Sequence, residues 1–151
     1  MWHTTVNELA HSDGKPIDYE HEKAALLEIH NEDRQAHFAT DVESLLESVH
    51  EPHIYVREGE IQHLSRSDLE KTFREYFRDT TFLEWDDMEE PIVNVSEDGT
   101  MGWMVERLKV RRIIRSEGGK AEERQFIYAG ITVYEKRDDT WLKVANASTF
   151  K

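Results

Sequence analysis

The stretch DRQAHFATDVESLL, residues 33–46, decides the fold because it ends one amphipathic helix and begins another. At about 100° per residue, Asp33 and His37 share a helix face with the apolar positions before them. The residues of this face are Leu26, Ile29, His30, Asp33, Ala36, His37 and Thr40. Asp41 is suited to cap the helix that follows. Burying an unpaired carboxylate is costly, so Asp33 must meet a structural partner, a wet pocket or solvent.

Three helices and an N-terminal segment are predicted around this stretch. Residues 1–20 are polar, aperiodic and interrupted by glycine and proline, so we expect a tail or arm that precedes one domain over 21–151. The first helix is predicted over Tyr19–Ala39 and the second after Asp41. A third is expected to open at Ser67, where Ser67 and Glu70 match a capping box.

The remaining sequence predicts strands. HIYVRE and EIQHL read as two short strands joined around Gly59, and turn signals stand at SEDG (96–99), SEGGK (116–120) and RDDT (137–140). The long strands are expected over 81–95, 100–114, 122–136 and 140–150, with a bulge or bend at Pro91 in the first of them. Helices followed by a long antiparallel meander predict an α+β domain whose helices pack on one face of a curved sheet.

Alternation along the strands predicts which sheet face is internal. The expected internal positions are Met104, Glu106, Leu108 and Val110, then Ile127, Ala129, Ile131 and Val133, and finally Leu142, Val144, Asn146, Ser148 and Phe150. Lys143 is expected to face the other way. The internal sheet face therefore carries polar groups, Glu106 and Asn146, as the first helix does.

Composition excludes several classes of protein. The chain has 151 residues, 38% of them hydrophobic and 34% charged, which is typical of one globular domain. It has no apolar run long enough to span a bilayer and no signal-peptide pattern, so we expect a cytoplasmic protein without a membrane partner. A net charge of −13 argues against nucleic acid, and no cysteine is present. His50 and His53 have ligand spacing across Pro52, but no ligand pattern accompanies them, so no metal site is predicted.

Four segments carry a resemblance to a known superfamily. They are AHFATDVESLL, SRSDLEKTFREYF, EPIVNVSEDGTMGWM and VYEKRDDTWLKVANAST, in this order. In order and spacing they resemble the nuclear transport factor two-like proteins, and within them the SnoaL-like proteins, over residues 20–150. The resemblance implies a cone-shaped half-barrel, a curved and mostly antiparallel sheet with three N-terminal helices on its concave face, with a pocket inside and commonly a homodimer.

The resemblance places the polar residues in the cone. Asp33, His37 and Glu106 are then candidates for an acid/base set without a cofactor, because an apolar cone perturbs their proton affinities. Candidate ligand contacts are Tyr55, Tyr76, Trp85, Met104 and Asn146. The steroid-isomerase pattern is not reproduced, because the internal stripe of the first helix has no tyrosine.

Alternatives stay open for these residues. Asp33 could pair with an arginine, pair with His37 one turn away, or cap neighbouring backbone groups. For Tyr76 and Trp85, packing in the core or at the rim is favoured over a ligand contact. The protein is then either a small isomerase, cyclase or dehydratase acting on an apolar carbonyl compound, or a non-catalytic ligand-binding or dimerisation module. An outer sheet face with Trp103, Val105, Tyr128 and Tyr134 would support a homodimer.

Overall fold

The computed structural model of the protein describes residues 14–151, which form three helices and seven strands. The helices are α1 (Tyr19–Ala39), α2 (Val42–Leu46) and α3 (Arg66–Phe77). The strands are β1 (Val49–Arg57), β2 (Glu60–Leu64), β3 (Thr80–Asp87), β4 (Ile92–Val95), β5 (Met101–Arg115), β6 (Ala121–Arg137) and β7 (Thr140–Phe150). Most of the predicted tail, residues 1–13, lies outside the described residues. None of the helices described is both long enough and apolar enough to cross a membrane.

The junction between α1 and α2 forms as predicted. Helix α1 ends at Ala39, and Thr40 adopts a left-handed conformation with φ of 49°. The Asp41 side chain then accepts a hydrogen bond from the Ser44 amide at 3.1 Å, which caps α2. The chain therefore turns within two residues, and both helices present their apolar sides to the same sheet.

Helix α3 begins two residues earlier than predicted. Its capping box is formed by Ser65 and Asp68, with the Asp68 amide donating to Ser65 Oγ at 3.1 Å and the Ser65 amide to Asp68 at 2.9 Å. The frame of Ser67 and Glu70 is therefore wrong. The sequence offers both frames, and the earlier one is used because β2 ends at Leu64 and leaves Ser65 to begin the helix.

The seven strands of residues 14–151 belong to one sheet with the order β2-β1-β7-β6-β5-β3, and β4 also pairs with β5. Every pairing is antiparallel except that of β1 with β7. The single strand expected over 81–95 is in fact two strands: β3 ends at Asp87 and β4 begins at Ile92. Pro91 lies between them, where its missing N–H does not interrupt a ladder. The sheet curls around the helices, which confirms the α+β cone.

The internal face of β6 is opposite to the prediction. Cross-strand register pairs Tyr128 with Leu108, and Tyr134 with Gly102, so these tyrosines lie on the concave face. The alternate residues Ile127, Ala129, Ile131 and Val133 lie on the outer face. The prediction for this strand is therefore wrong: the tyrosines bury their rings on the concave face, and the aliphatic residues form the convex surface. Of the four residues expected outside, only Trp103 and Val105 lie there.

A β-bulge explains the error on β7. Tyr134 pairs with Lys143 but Val133 pairs with Ala145, so β7 advances two residues for one of β6. Lys143 before the bulge and Asn146 after it therefore share the concave face. The expected internal positions Leu142 and Val144 are wrong for the same reason, and those from Asn146 onward are right.

Two apolar clusters fill the space between helices and sheet. The larger joins α2 and α3 to β3 and β5, around Leu46, Phe77 and Leu108. The smaller is built around Leu26 and Met104. Gly102 leaves room for Leu26 in the smaller cluster, because a Cβ at position 102 would lie 2.7 Å from the Leu26 side chain.

Candidate functional site

A cavity of about 360 Å³ opens between the helices and the concave face of the sheet. Aromatic side chains form much of its wall: Phe73, Tyr76, Trp85, Phe126, Tyr128 and Phe150. The exposed lining residues Arg57 and Thr72 mark the mouth, whereas Asp33, Glu106 and Lys143 lie at the inner end and are mostly buried. The cavity thus has an apolar body and a charged inner end.

Asp33 is both paired and in the cavity. Its carboxylate accepts a hydrogen bond from Lys143 Nζ across 110 residues of sequence, and the side chains of Asp33 and Lys143 are 15% and 12% exposed. Burial raises the pKa of Asp33 above its ordinary value, and the lysine charge only partly opposes this. The internal face of α1 can therefore carry the Asp33 carboxylate, because the bulge in β7 places Lys143 on the concave face of the sheet.

His37 is a neutral base within an aromatic cluster. Its Nδ1 donates to the Asp33 main-chain carbonyl at 2.6 Å, so the partner one turn away is not the carboxylate. Its ring contacts Tyr76, Phe82 and Trp85, with centroids 4.9 to 6.1 Å apart. Burial lowers the pKa of His37 to about 4. Because Nδ1 carries the proton, Nε2 keeps a lone pair, and no described side chain donates to it.

Glu106 is held by a histidine that the sequence did not single out. His30 Nδ1 lies 2.7 Å from Glu106 Oε2, while its Nε2 lies 2.9 Å from Asp87 Oδ1 on the other side. Burial alone would lower the pKa of His30, but the hydrogen bonds and charges of the two carboxylates raise it. His30 therefore bridges a cavity carboxylate and a more exposed one.

Hydroxyl and amide groups line the side of the cavity formed by β1, β6 and β7. Tyr55 Oη lies 2.6 Å from Ser148 Oγ, and His53 Nε2 lies 2.6 Å from Asn146 Oδ1. Tyr128 reaches the same region, and burial raises the pKa of its hydroxyl far above the ordinary value. The Tyr128 hydroxyl is therefore a neutral hydrogen-bonding group at physiological pH.

Seven of the eight predicted site residues line the cavity: Asp33, His37, Tyr55, Tyr76, Trp85, Glu106 and Asn146. Met104 does not line it, because its 1% exposed side chain packs in the smaller apolar cluster with Leu26 and Trp141. Desolvation raises the pKa of Tyr76 to about 12, and the Arg112 guanidinium lies 4.4 Å from its ring centroid. Tyr76 therefore combines a packing role with a place on the wall.

Sequence reasoning missed His30, Lys143 and Tyr128. His30 belongs to the quoted helix face, so its position was available as a signal, but its partners are distant in sequence. Alternation predicts Lys143 and Tyr128 on the outer face, and no local pattern marks the bulge that reverses β7.

The histidine pair of the HxxH spacing does not converge. His53 turns toward Asn146, whereas His50 Nε2 accepts from the Arg137 guanidinium at 2.8 Å. Within residues 14–151 no group of three or more histidine, aspartate or glutamate side chains is arranged to hold a metal ion.

Comparison with solved structures identifies the fold. No protein-family model and no curated protein sequence matches the chain. Among solved structures, an NTF2-like protein from Cytophaga hutchinsonii is similar at 15% identity and a TM-score of 0.62, covering 83% of this chain and 95% of that one. An NTF2-like protein of unknown function in nutrient uptake from Rhodospirillum rubrum is similar at 12% identity and 0.62, covering 83% and 98%.

A ketosteroid isomerase-like protein from Erwinia carotovora atroseptica has a TM-score of 0.61 at 9% identity, covering 87% of this chain and 98% of that one. Identities this low establish a shared fold and carry no activity from one protein to the other. The SnoaL-like subgroup stays a prediction, and the chain has the nuclear transport factor two-like fold that its sequence predicts.

Proposed function

We propose that the cone binds a small molecule with an apolar body and one polar group, such as a carbonyl, directed to the inner end. The observation that carries this proposal is a 360 Å³ cavity whose walls are aromatic while Asp33, Glu106 and Lys143 meet at one end. Small-molecule sites combine an apolar lining with few convergent polar groups in this way. Lys143 and the tyrosine hydroxyls supply donors, and His37 Nε2 supplies an acceptor.

Binding of anilinonaphthalene sulfonate, a fluorescent apolar probe, tests whether the cavity is accessible. Thr72→Trp places a large ring at the mouth, because Thr72 lines the cavity from an exposed position on α3. Lys71→Trp is the matched control, since Lys71 is exposed on the same helix and does not line the cavity. We expect Thr72→Trp to weaken probe binding about tenfold, equivalent to about 1.4 kcal/mol. Equal affinity of the two variants would contradict binding in the cone.

Proton transfer without a cofactor is a second candidate function, favoured by the placement of Asp33, His37 and Glu106 on one cavity. A carboxyl whose pKa is raised by burial and a neutral imidazole are both groups that can exchange protons with a bound molecule. An isomerase, cyclase or dehydratase reaction beside a carbonyl needs such groups. A site that only binds a ligand would use the same residues as hydrogen-bonding partners.

Nitrobenzisoxazole distinguishes catalysis from binding. Its ring opens when a base removes the ring C–H proton; the C–H electron pair forms the nitrile, and the N–O bond breaks to give a coloured phenolate. We expect turnover that is saturable in probe and falls at least tenfold in Glu106→Gln. Lys71→Trp should leave turnover unchanged. Binding of the fluorescent probe without turnover of nitrobenzisoxazole would support the binding module.

We also propose that the protein forms a homodimer through the convex face of the sheet. One cross-strand row on that face is apolar across six strands: Ile92, Val105, Ile131, Ala147, Val56 and Ile61. Ile131 is 39% exposed and Ile61 68%. A continuous apolar row of this kind is typical of an interface.

Light scattering tests the dimer. Ile131→Glu puts a charge in the middle of the row and should give a species of half the wild-type mass at micromolar concentration. Leu83→Glu is the control, because Leu83 is a 42% exposed apolar residue on β3 outside that row. A monomeric wild-type protein at the same concentration would contradict the proposal.

A further inference from the structure

His30 connects the inner end of the cavity to the outside of the domain. Its Nδ1 contacts Glu106 Oε2 at 2.7 Å, and its Nε2 contacts the Asp87 carboxylate oxygens at 2.9 and 3.1 Å. The side chains of His30 and Glu106 are 9% and 13% exposed, whereas that of Asp87 is 36% exposed. The ring therefore separates a cavity carboxylate from one that meets solvent.

The geometry fixes the charge of the ring. Both nitrogens face carboxylate oxygens, which only accept hydrogen bonds when ionised, so both nitrogens donate and the ring is an imidazolium. Burial works against this charge, yet the pKa of His30 is raised because Glu106 and Asp87 outweigh it. Removing either carboxylate therefore brings the ring closer to neutrality.

The other charged groups around His30 are themselves paired. On α1, Asp33 is bound by Lys143 of β7, one turn from the ring. Farther out, Arg34 Nη2 lies 2.6 Å from Asp86 Oδ1 of β3. Strand β4, which also packs on α1, carries no ionisable side chain. Glu106 and Asp87 are thus the two groups that determine the charge of His30.

We infer that His30 is a positioning residue, which acts through Glu106 by holding one of its carboxylate oxygens with a charged donor that Asp87 secures from outside. The inference rests on the proposed function, because it takes Glu106 to be the group that contacts a proton-bearing atom of the bound ligand. The ligand chemistry that fits is an acidic C–H beside a carbonyl, or a hydroxyl, near Glu106. In the nitrobenzisoxazole reaction Glu106 accepts the probe's proton and later returns it to water, while both N–H bonds of His30 stay intact.

Nuclear magnetic resonance titration tests this coupling directly. The Glu106 carboxyl carbon and the His30 ring nitrogens are followed in the wild type, His30→Gln and Asp87→Asn. We expect His30→Gln to move the Glu106 midpoint upward by about one pH unit, because a neutral donor replaces a charged one. Asp87→Asn should lower the His30 midpoint by about one unit for the same reason. Asp86→Asn is the matched control and should move neither, since Asp86 pairs with Arg34.

The pH profile of nitrobenzisoxazole turnover supplies the functional readout. The acidic limb should move upward in His30→Gln, and Asp87→Asn should lower kcat/KM about tenfold above the new His30 midpoint. An unshifted Glu106 midpoint in His30→Gln, or an unshifted His30 midpoint in Asp87→Asn, would overturn the inference even if turnover is found. If both midpoints shift as expected but the wild type does not turn over nitrobenzisoxazole, the catalytic function is contradicted. That result would support His30 as the residue that positions Glu106 for ligand binding. Asp87→Asn keeps the test decisive should His30→Gln fail to fold.

Discussion

The pair of Asp33 and Lys143 gives the sharpest test of how α1 is held. Both side chains are at most 15% exposed, so removing one partner leaves the other charge against an apolar cavity. Breaking a buried ion pair from one side costs about 3–5 kcal/mol. The cavity lets water reach the pair, so we expect the lower end, about 3 kcal/mol, for Asp33→Asn. In a domain of this size that lowers Tm by about 6–12 °C.

A double-mutant cycle separates the pair from its surroundings. Lys143→Met removes the other charge, and the double variant removes both, so its loss should be about 1 kcal/mol, well below the sum of the single losses. Urea unfolding followed by circular dichroism measures all three. Asp86→Asn is the control, because the pair of Asp86 with Arg34 likewise joins α1 to the sheet, here to β3, but both side chains are nearly half exposed. We expect Asp86→Asn to cost less than about 1 kcal/mol.

The pH dependence of the cycle has a definite sign. In Lys143→Met, burial continues to raise the pKa of Asp33 without the opposing lysine. A carboxyl whose folded pKa is raised contributes stability that is present below its unfolded pKa and is lost as pH rises through the folded pKa. The loss of unfolding free energy in Lys143→Met should therefore become smaller as the pH falls from about 7 to about 4. Single losses below about 0.5 kcal/mol, or strict additivity in the double variant, would refute the reasoning.

Three further changes test other contacts. The pKa of His37 is about 4 in the folded state, below its ordinary value of 6.5, so the unfolded chain takes up a proton first as the pH falls. The free energy of unfolding should therefore decrease between about pH 6.5 and about pH 4, by about 2 kcal/mol at about pH 5. His37→Gln should remove this decrease, measured by urea unfolding at each pH. Glu22→Ala removes the buried acceptor of the Trp141 indole at 2.7 Å and should cost about 3 kcal/mol in urea unfolding. Gly130→Ala places a Cβ 2.3 Å from the Tyr128 hydroxyl, so it should displace that ring and cost about 1–3 kcal/mol, measured by thermal unfolding.

Local signals in the sequence predicted the helical half of the fold well. The bounds of α1 and the Asp41 cap depend on residues within one or two turns, and both are as predicted. The error at α3 is of the same local kind, since Ser65 and Ser67 each begin a capping frame. Here the end of the preceding strand decided between two adequate choices.

The sheet was harder because its faces are decided between strands. On β6 the aliphatic residues look more internal than Tyr128 and Tyr134, yet the cone buries the tyrosines and leaves Ile131 outside. On β7 one bulged residue reverses the strand from Lys143 to Asn146. Neither choice can be read from alternation, which assumes one covered face and an unbroken ladder.

The charged face of α1 follows from these long-range contacts. Four of its side chains pair with the sheet across 52 to 114 residues: Glu22 with Lys136, His30 with Asp87, Asp33 with Lys143 and Arg34 with Asp86. The only aliphatic side chains of α1 that are buried are Leu26 and Ala36, so apolar packing alone defines its position along the sheet weakly. A slip by one helical turn, about 5.4 Å, would separate all four pairs at once. The polar pairs therefore specify the register of α1, and that register is what brings Asp33, His37 and the partner of Glu106 to the same end of the cavity.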